Sequence, residues 1–194
     1  MTRTCAPQPP PSGGVGHRVH LFGASGSGTT TLGRRLAAAL GARHLDTDAY
    51  YWIPTDPPFT TKRDPAARIA AIGHDVAGLA DWVLSGSICS WGDPLLPRFT
   101  LAVFLRLDPE VRMARLADRE RERYGSRILP GGDMHATHEE FMAWARSYDH
   151  GRAPIRSLDL HERWLTRLPC PVLRLDAGRS VEALGDEVLA RIGT

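Results

Sequence analysis

Gly23-Ala24-Ser25-Gly26-Ser27-Gly28-Thr29-Thr30 decides the reading of this chain, because of what stands on either side of it. Ahead of it, His17–Phe22 reads as a short strand. Behind it, Leu32, Leu36 and Leu40 recur at a spacing of four, one face of a helix that Gly41 ends. Strand, glycine-rich turn and helix in that order is the setting of the phosphate-cradling pattern G-x-x-x-x-G-K-[ST]. The match holds at every defined place but one: Thr29 stands where the pattern has lysine. Glycines let the backbone wrap an anion with its N–H groups pointing inward, and the helix dipole adds positive potential. Gly23, Ala24, Ser25, Gly26, Ser27, Gly28, Thr29, Thr30 and Thr31 are therefore the expected contacts to ATP, with the Thr30 hydroxyl placed to hold Mg²⁺. The lysine of the pattern neutralises charge between β- and γ-phosphates. Without it, either another cation takes its place or the loop binds nucleotide without turnover.

Outward from the loop, His44-Leu45 and its flanks read as a second strand ending in Asp46-Thr47-Asp48. Tyr50–Asp64, with Pro54, Pro57 and Pro58, reads as irregular and long for a plain connection. A helix is expected over about Pro65–Ala80, then strands at Trp82–Leu84 and Leu101–Leu107. Asp108 and Pro109 open a helix to about Tyr124. A mobile, arginine-bearing lid over about 124–136 follows, then helices over Thr137–Tyr148 and Ile155–Arg167, a strand at Val172–Leu175 and a closing helix over Ser180–Ile192. Strands separated by helices predict an α/β fold: a doubly wound five-stranded parallel sheet in one domain over 17–194, with ligands at the strands' carboxyl ends.

Composition excludes several classes. At 194 residues, 42% hydrophobic and 24% charged, the chain is sized for one globular domain. A net charge of +2 gives no bulk attraction to nucleic acid or membrane, and no apolar run approaches the roughly 20 residues of a membrane span. Cys5, Cys89 and Cys170 form no C-x-x-C pair, which fits a reducing cytoplasm. Residues 1–16, with four prolines and three glycines, read as a disordered tail. Of the 24 basic residues only Lys62 is lysine, so it alone can serve chemistry that needs one.

Three sets of side chains are candidates for chemistry. Arg112, Arg115, Arg119 and Arg123 recur at three and four on one helix face, for which a solvated basic face is the plain alternative. Lys62, or Arg63 beside it, is the hypothetical cation that closes over the phosphates, against the alternative of an exposed loop lysine. Asp46 and Asp48 lie where an acceptor hydroxyl needs a carboxylate to orient it or take its proton, or else form an ordinary capped turn. Strand three ends Leu84-Ser85-Gly86-Ser87 without an aspartate, so Ser85, Ser87 or Asp93 would have to serve as polar groups there. Asp133, His135 and His138 invite a zinc reading, but Thr137-His-Glu-Glu140 reads as a capping box and explains the segment without metal. Tyr50, Tyr51, Trp52 and Phe59 either line an acceptor pocket or pin the proline-rich loop; Trp144 and Tyr148 read as core.

These motifs resemble known kinases. The G-T-T-T loop is similar to that of archaeal-type cytidylate kinases, which are active without the lysine. R-L-x-x-R (Arg115, Arg119) ahead of a glycine-rich loop looks like the segment leading into the lid in the adenylate kinase and shikimate kinase group. That resemblance implies Arg115 and Arg119 as nucleotide and transition-state residues, and Arg123 and Arg127 as lid residues. H-L-D-T-D looks like the matching element of shikimate kinase, which implies Asp46 on the metal side and Asp48, catalytic, on the acceptor side. Over most of 17–192 the chain resembles the small bacterial P-loop kinases often labelled topology-modulation or AAA-family ATPase proteins, with nothing to suggest a hexameric motor. Three functions follow: a kinase for a small hydroxylic metabolite, a nucleoside monophosphate kinase, or a nucleotide-binding regulator with negligible transfer. Oligomeric state is not addressed by any of these residues.

Overall fold

Five strands carry the predicted sheet in the computed structural model, which describes residues 16–152 and 155–193. They are β1 (Arg18–Gly23), β2 (Arg43–Asp46), β5 (Trp82–Ser85), β6 (Leu101–Arg106) and β7 (Val172–Asp176). All neighbours run parallel, in the order β2-β5-β1-β6-β7. The register places Leu21 and Asp46 both beside Ser85, and Gly23 beside Leu105, so the strands' carboxyl ends form one edge. The tail expected over 1–16 lies outside the described residues apart from Gly16.

Period-two alternation in β1 decides how the sheet is covered. Val19 and Leu21 face a mainly aliphatic core with Leu32 and Leu36 of α1 (Thr29–Leu40) and Leu184 and Val188 of α7 (Val181–Ile192). Phe22 faces an aromatic-rich core on the other side, with Trp82, Leu84, Phe99, Phe104 and Trp164. Ile72 of α3 (Pro65–Asp75) and Trp164 of α6 (Leu158–Leu165) close that side. His20 joins this layer, stacked between Phe22 and Phe99 at centroid distances of 5.1 and 4.8 Å. Helices on both faces make the sheet doubly wound, as the alternation of elements predicts.

The helix α4 (Pro109–Tyr124) has the expected bounds, because Asp108 accepts from the amides of Glu110 and Val111 and Pro109 needs no partner for its nitrogen. Other elements differ from expectation. The segment after β2 is ordered: Asp46 caps a short α2 (Thr47–Tyr51), and β3 (Trp52–Ile53) pairs antiparallel with β4 (Thr61–Lys62). Helix α3 stops at Asp75 rather than near Ala80, and Gly78 turns the chain with φ 74°. The predicted capping box does not open α5 (His135–Arg146). That helix starts two residues earlier, from buried Met134, whose carbonyl accepts from the amide of His138; Thr137 is inside it. The mobile loop expected before it is a 3₁₀ turn over Gly125–Ile128 held by Arg127, which pairs with both Asp133 and Asp56 at 2.7 Å. Helix α6 is shorter than Ile155–Arg167 and begins behind Ser157, whose hydroxyl accepts from the Leu160 amide.

Candidate active site

The loop between β1 and α1 lies on the carboxyl edge of the sheet, between its central strands. Gly26 and Gly28 take φ values of 87° and 88°, the left-handed region that side chains with a Cβ rarely adopt. Those two positions turn the backbone so that the first amides of α1 face outward, unpaired within the helix and ready for an anion. A cavity of about 320 Å³ opens over them, lined by Gly23, Ala24, Ser25, Gly26, Gly28, Thr29, Thr30 and Thr31 of the loop and first turn. Ser27 is the exception among the predicted contacts: its side chain is buried behind the loop, and its amide closes a turn onto the Ala24 carbonyl.

Asp46 comes to the same place. Thr30 donates from its hydroxyl to Asp46 Oδ2 at 2.9 Å, while Asp46 Oδ1 accepts from the Asp48 amide at 3.1 Å. A hydroxyl and a carboxylate side by side at the loop fit the hard oxygen set that Mg²⁺ takes when the remaining positions go to phosphate and water. Thr30 and Asp46 would hold that ion. Asp48 lines the cavity too, open to it but walled by protein. Burial raises its carboxyl above the ordinary range and the charge of Asp46 raises it further, against Arg156, Arg119 and Arg123, which lower it.

The arginine face of α4 divides into two parts. Arg115, Arg119 and Arg123 line the cavity. Arg115 donates to the Ala177 carbonyl at 3.2 Å, and Arg119 holds Glu120 at 3.0 Å. Arg112 is instead 1% exposed, ion-paired with Asp149 at 2.7 Å and bonded to the carbonyls of Ala145 and Ser25 at 3.1 and 3.4 Å. Arg127 lies outside the cavity with its two aspartates. Lys62 is also outside it, exposed on the two-residue strand β4 opposite Trp52. Arg63 is turned toward the Tyr50 carbonyl.

Arg156, and the His161–Tyr148 pair behind Ser87, were not anticipated from the sequence. Arg156, four residues beyond Arg152, reaches across to donate from Nη2 to Ser25 Oγ at 2.7 Å, with its guanidinium 4.9 Å from the Trp144 ring centroid. Burial lowers its affinity for the proton, and Asp48 is the largest of the charges that restore it. At the end of β5, Ser87 lines the cavity while Ser85 is buried against His44. Behind Ser87 runs a buried relay: Ser87 Oγ lies 3.0 Å from His161 Nε2, and His161 Nδ1 lies 2.7 Å from the Tyr148 hydroxyl. Burial, then the charge of Arg156, holds the His161 pKa down at about 3, so the ring is neutral and has one N–H to give. Asp93 faces Arg167 and Trp164 instead of the cavity. Asp133 is taken by Arg127, and His135 by the Ile128 carbonyl. Among the described residues, no three His, Cys, Asp or Glu side chains are grouped to hold a metal, and no helix is long and apolar enough to cross a membrane.

Comparison with known proteins bears on the fold. The chain is 42% identical over 171 residues to the uncharacterized protein YqaC of Bacillus subtilis (strain 168), covering 88% of this chain and 94% of that one. Among solved structures it is similar to shikimate kinase from Bacteroides thetaiotaomicron, with a TM-score of 0.56, 19% identity, and 92% and 99% of the two chains covered. Deoxyadenosine kinase from M. mycoides with bound dATP gives 0.55, 12% identity, and 91% and 100%. A gluconokinase from Sinorhizobium meliloti 1021 gives 0.52, 19%, and 92% of each. At these identities the structures share the fold, and that fold is the one the small P-loop kinases use. Residues 19–143, more than half of the chain, match the AAA domain family, and with that match the chain belongs to the AAA domain family on a small P-loop kinase fold.

Proposed function

We propose that this protein is an ATP-dependent kinase that moves the γ-phosphoryl group to a hydroxyl of a small acceptor. The observation that carries the reading is one cavity shared by the loop, by Asp46 and Asp48, and by four arginines from α4 and the approach to α6. The loop amides would hold the β-phosphate side of the nucleotide, and Thr30 with Asp46 would hold Mg²⁺, which neutralises phosphate charge when bound. Asp48 orients the acceptor hydroxyl and takes its proton as the new O–P bond forms and the bond to the ADP oxygen breaks. Arg115 and Arg119 stabilise charge on the moving group. The arginine wall also favours a second reading, a nucleoside monophosphate kinase, since an acceptor phosphate would be matched by those cations.

ADP release measured over a panel of nucleosides, nucleoside monophosphates, sugars and hydroxy acids tests this. Acceptor-dependent ADP is the expected result, and the acceptor that produces it separates the two kinase readings. ATP binding with no ADP from any acceptor would leave a regulator.

A further inference from the structure

A loop with threonine at position 29 needs its cation from elsewhere, and the arginines around the cavity differ in how free they are. Arg115 is bonded to a backbone carbonyl and Arg119 to a carboxylate. Arg34 is an exposed residue of α1 and Arg123 of the last turn of α4. Arg156 differs from all of these in touching the phosphate loop itself, through Ser25 Oγ. Among the described residues that hydroxyl is its one hydrogen-bond partner, no carboxylate lies within ion-pairing distance, and its Nε is buried with nothing to bond. A half-buried charge whose Nε is shut off from water without a counter-ion is costly, and the face of Trp144 offsets only part of that cost. The acid whose charge acts most strongly on it is Asp48, on the acceptor side. Arg156 therefore stands between the loop that grips the nucleotide and the carboxylate that faces the acceptor, with donors unused.

Resting on the kinase reading above, we infer that Arg156 supplies the positive charge absent at Thr29, closing on the γ-phosphate oxygens from its place beside Ser25. A guanidinium suits that place better than a lysine ammonium would: it keeps its proton even when desolvated, and it grips two oxygens at once. Lys62, the alternative cation, is exposed on its hairpin and outside the cavity. The inference gives Arg156 a ligand of definite chemistry: the terminal phosphates of a nucleoside triphosphate, in preference to those of a diphosphate.

The test is the ratio of ATP to ADP affinity, read with fluorescent analogues of both in Mg²⁺ on the full chain. The wild type is expected to bind the triphosphate at least about tenfold more tightly. Arg156→Met is expected to reduce that preference to about twofold or less, with ATP affinity falling more than ADP affinity, and Arg156→Lys to restore part of it. Turnover in Arg156→Met should fall on the order of a thousandfold, the scale of a transition-state arginine. A melting curve checks each variant, and Arg156→Gln replaces Met if the latter does not fold. A full triphosphate preference in Arg156→Met or Gln, or none in the wild type, overturns the inference. If the preference depends on Arg156 but no acceptor yields ADP, the kinase reading falls and the inference stands. If acceptor-dependent turnover survives the loss of Arg156, the reverse holds.

Discussion

Arg112 and Arg156 both reach Ser25, from different regions of the chain and with opposite electrostatic surroundings. From the first turn of α4, Arg112 bonds the Ser25 carbonyl and is matched by Asp149 at 2.7 Å and by a second carbonyl. From the approach to α6, Arg156 bonds the Ser25 hydroxyl and has no matching carboxylate within ion-pairing distance among the described residues. Each has a buried Nε with no partner; an arginine whose charge is answered by a carboxylate belongs to the framework, and one without that partner is open to an anion. The same residue type on the same loop thus does two jobs, and the difference lies in the partners rather than in depth alone.

The sharpest way to break this contrast is Arg112→Met. Removing one member of a buried pair leaves the other charged and uncompensated, so stability should fall by about 3–5 kcal/mol, measured by urea unfolding. A variant as stable as wild type would mean that Arg112, too, is a ligand-facing residue. Asp48→Asn should lower acceptor-dependent turnover by about 10² or more, the usual scale for a positioned proton acceptor, while leaving ATP binding nearly intact; a loss confined to ATP affinity would place Asp48 on the nucleotide side.

Histidine sharpens the contrast further, because it escapes burial in a way arginine does not. His20 and His161 are fully buried, and burial holds both near a pKa of about 3, so they stay neutral in the fold. The unfolded chain takes up those protons below its ordinary value of about 6.5, so it binds more protons than the folded one in between. Stability is therefore expected to fall as pH drops from about 6.5 toward 3. Thermal melts across that window should show a steady decline in Tm, shallower in His161→Gln; a flat profile would mean the rings are protonated in the fold. The smallest effect belongs to Lys62→Ala. An exposed residue outside the cavity should change turnover by no more than about twofold, and a large loss would return Lys62 to the site.

Much of the site could be read in advance because its parts are local. The loop, its flanking strand and helix, and the Thr30–Asp46 pair lie within one βαβ unit, where spacing and glycine placement carry their own physics. Helical periodicity put Arg115, Arg119 and Arg123 on one face, and the R-L-x-x-R resemblance pointed to that face. Arg156 could not be found that way. It meets Ser25 across a sequence separation of 131 and belongs to no periodic pattern, and the expected helix from Ile155 absorbed it. Lys62 was hard to place for the converse reason: being the only lysine is a fact of composition, and only the pairing of Trp52 with Lys62 shows where it stands. Arg112 looked identical to its neighbours on the helix face until Asp149, 37 residues away, was placed against it.

Trp144 gives the molecule an optical probe of its own. Its indole lies 4.9 Å from the Arg156 guanidinium, a charge that perturbs the emission of the ring it touches. Withdrawal of that guanidinium onto a phosphate would change Trp144 fluorescence, whereas Trp82 and Trp164, sealed in the aromatic layer, supply a constant background. Stopped-flow mixing with unlabelled nucleotide can then time the closing of the site directly, with no dye attached.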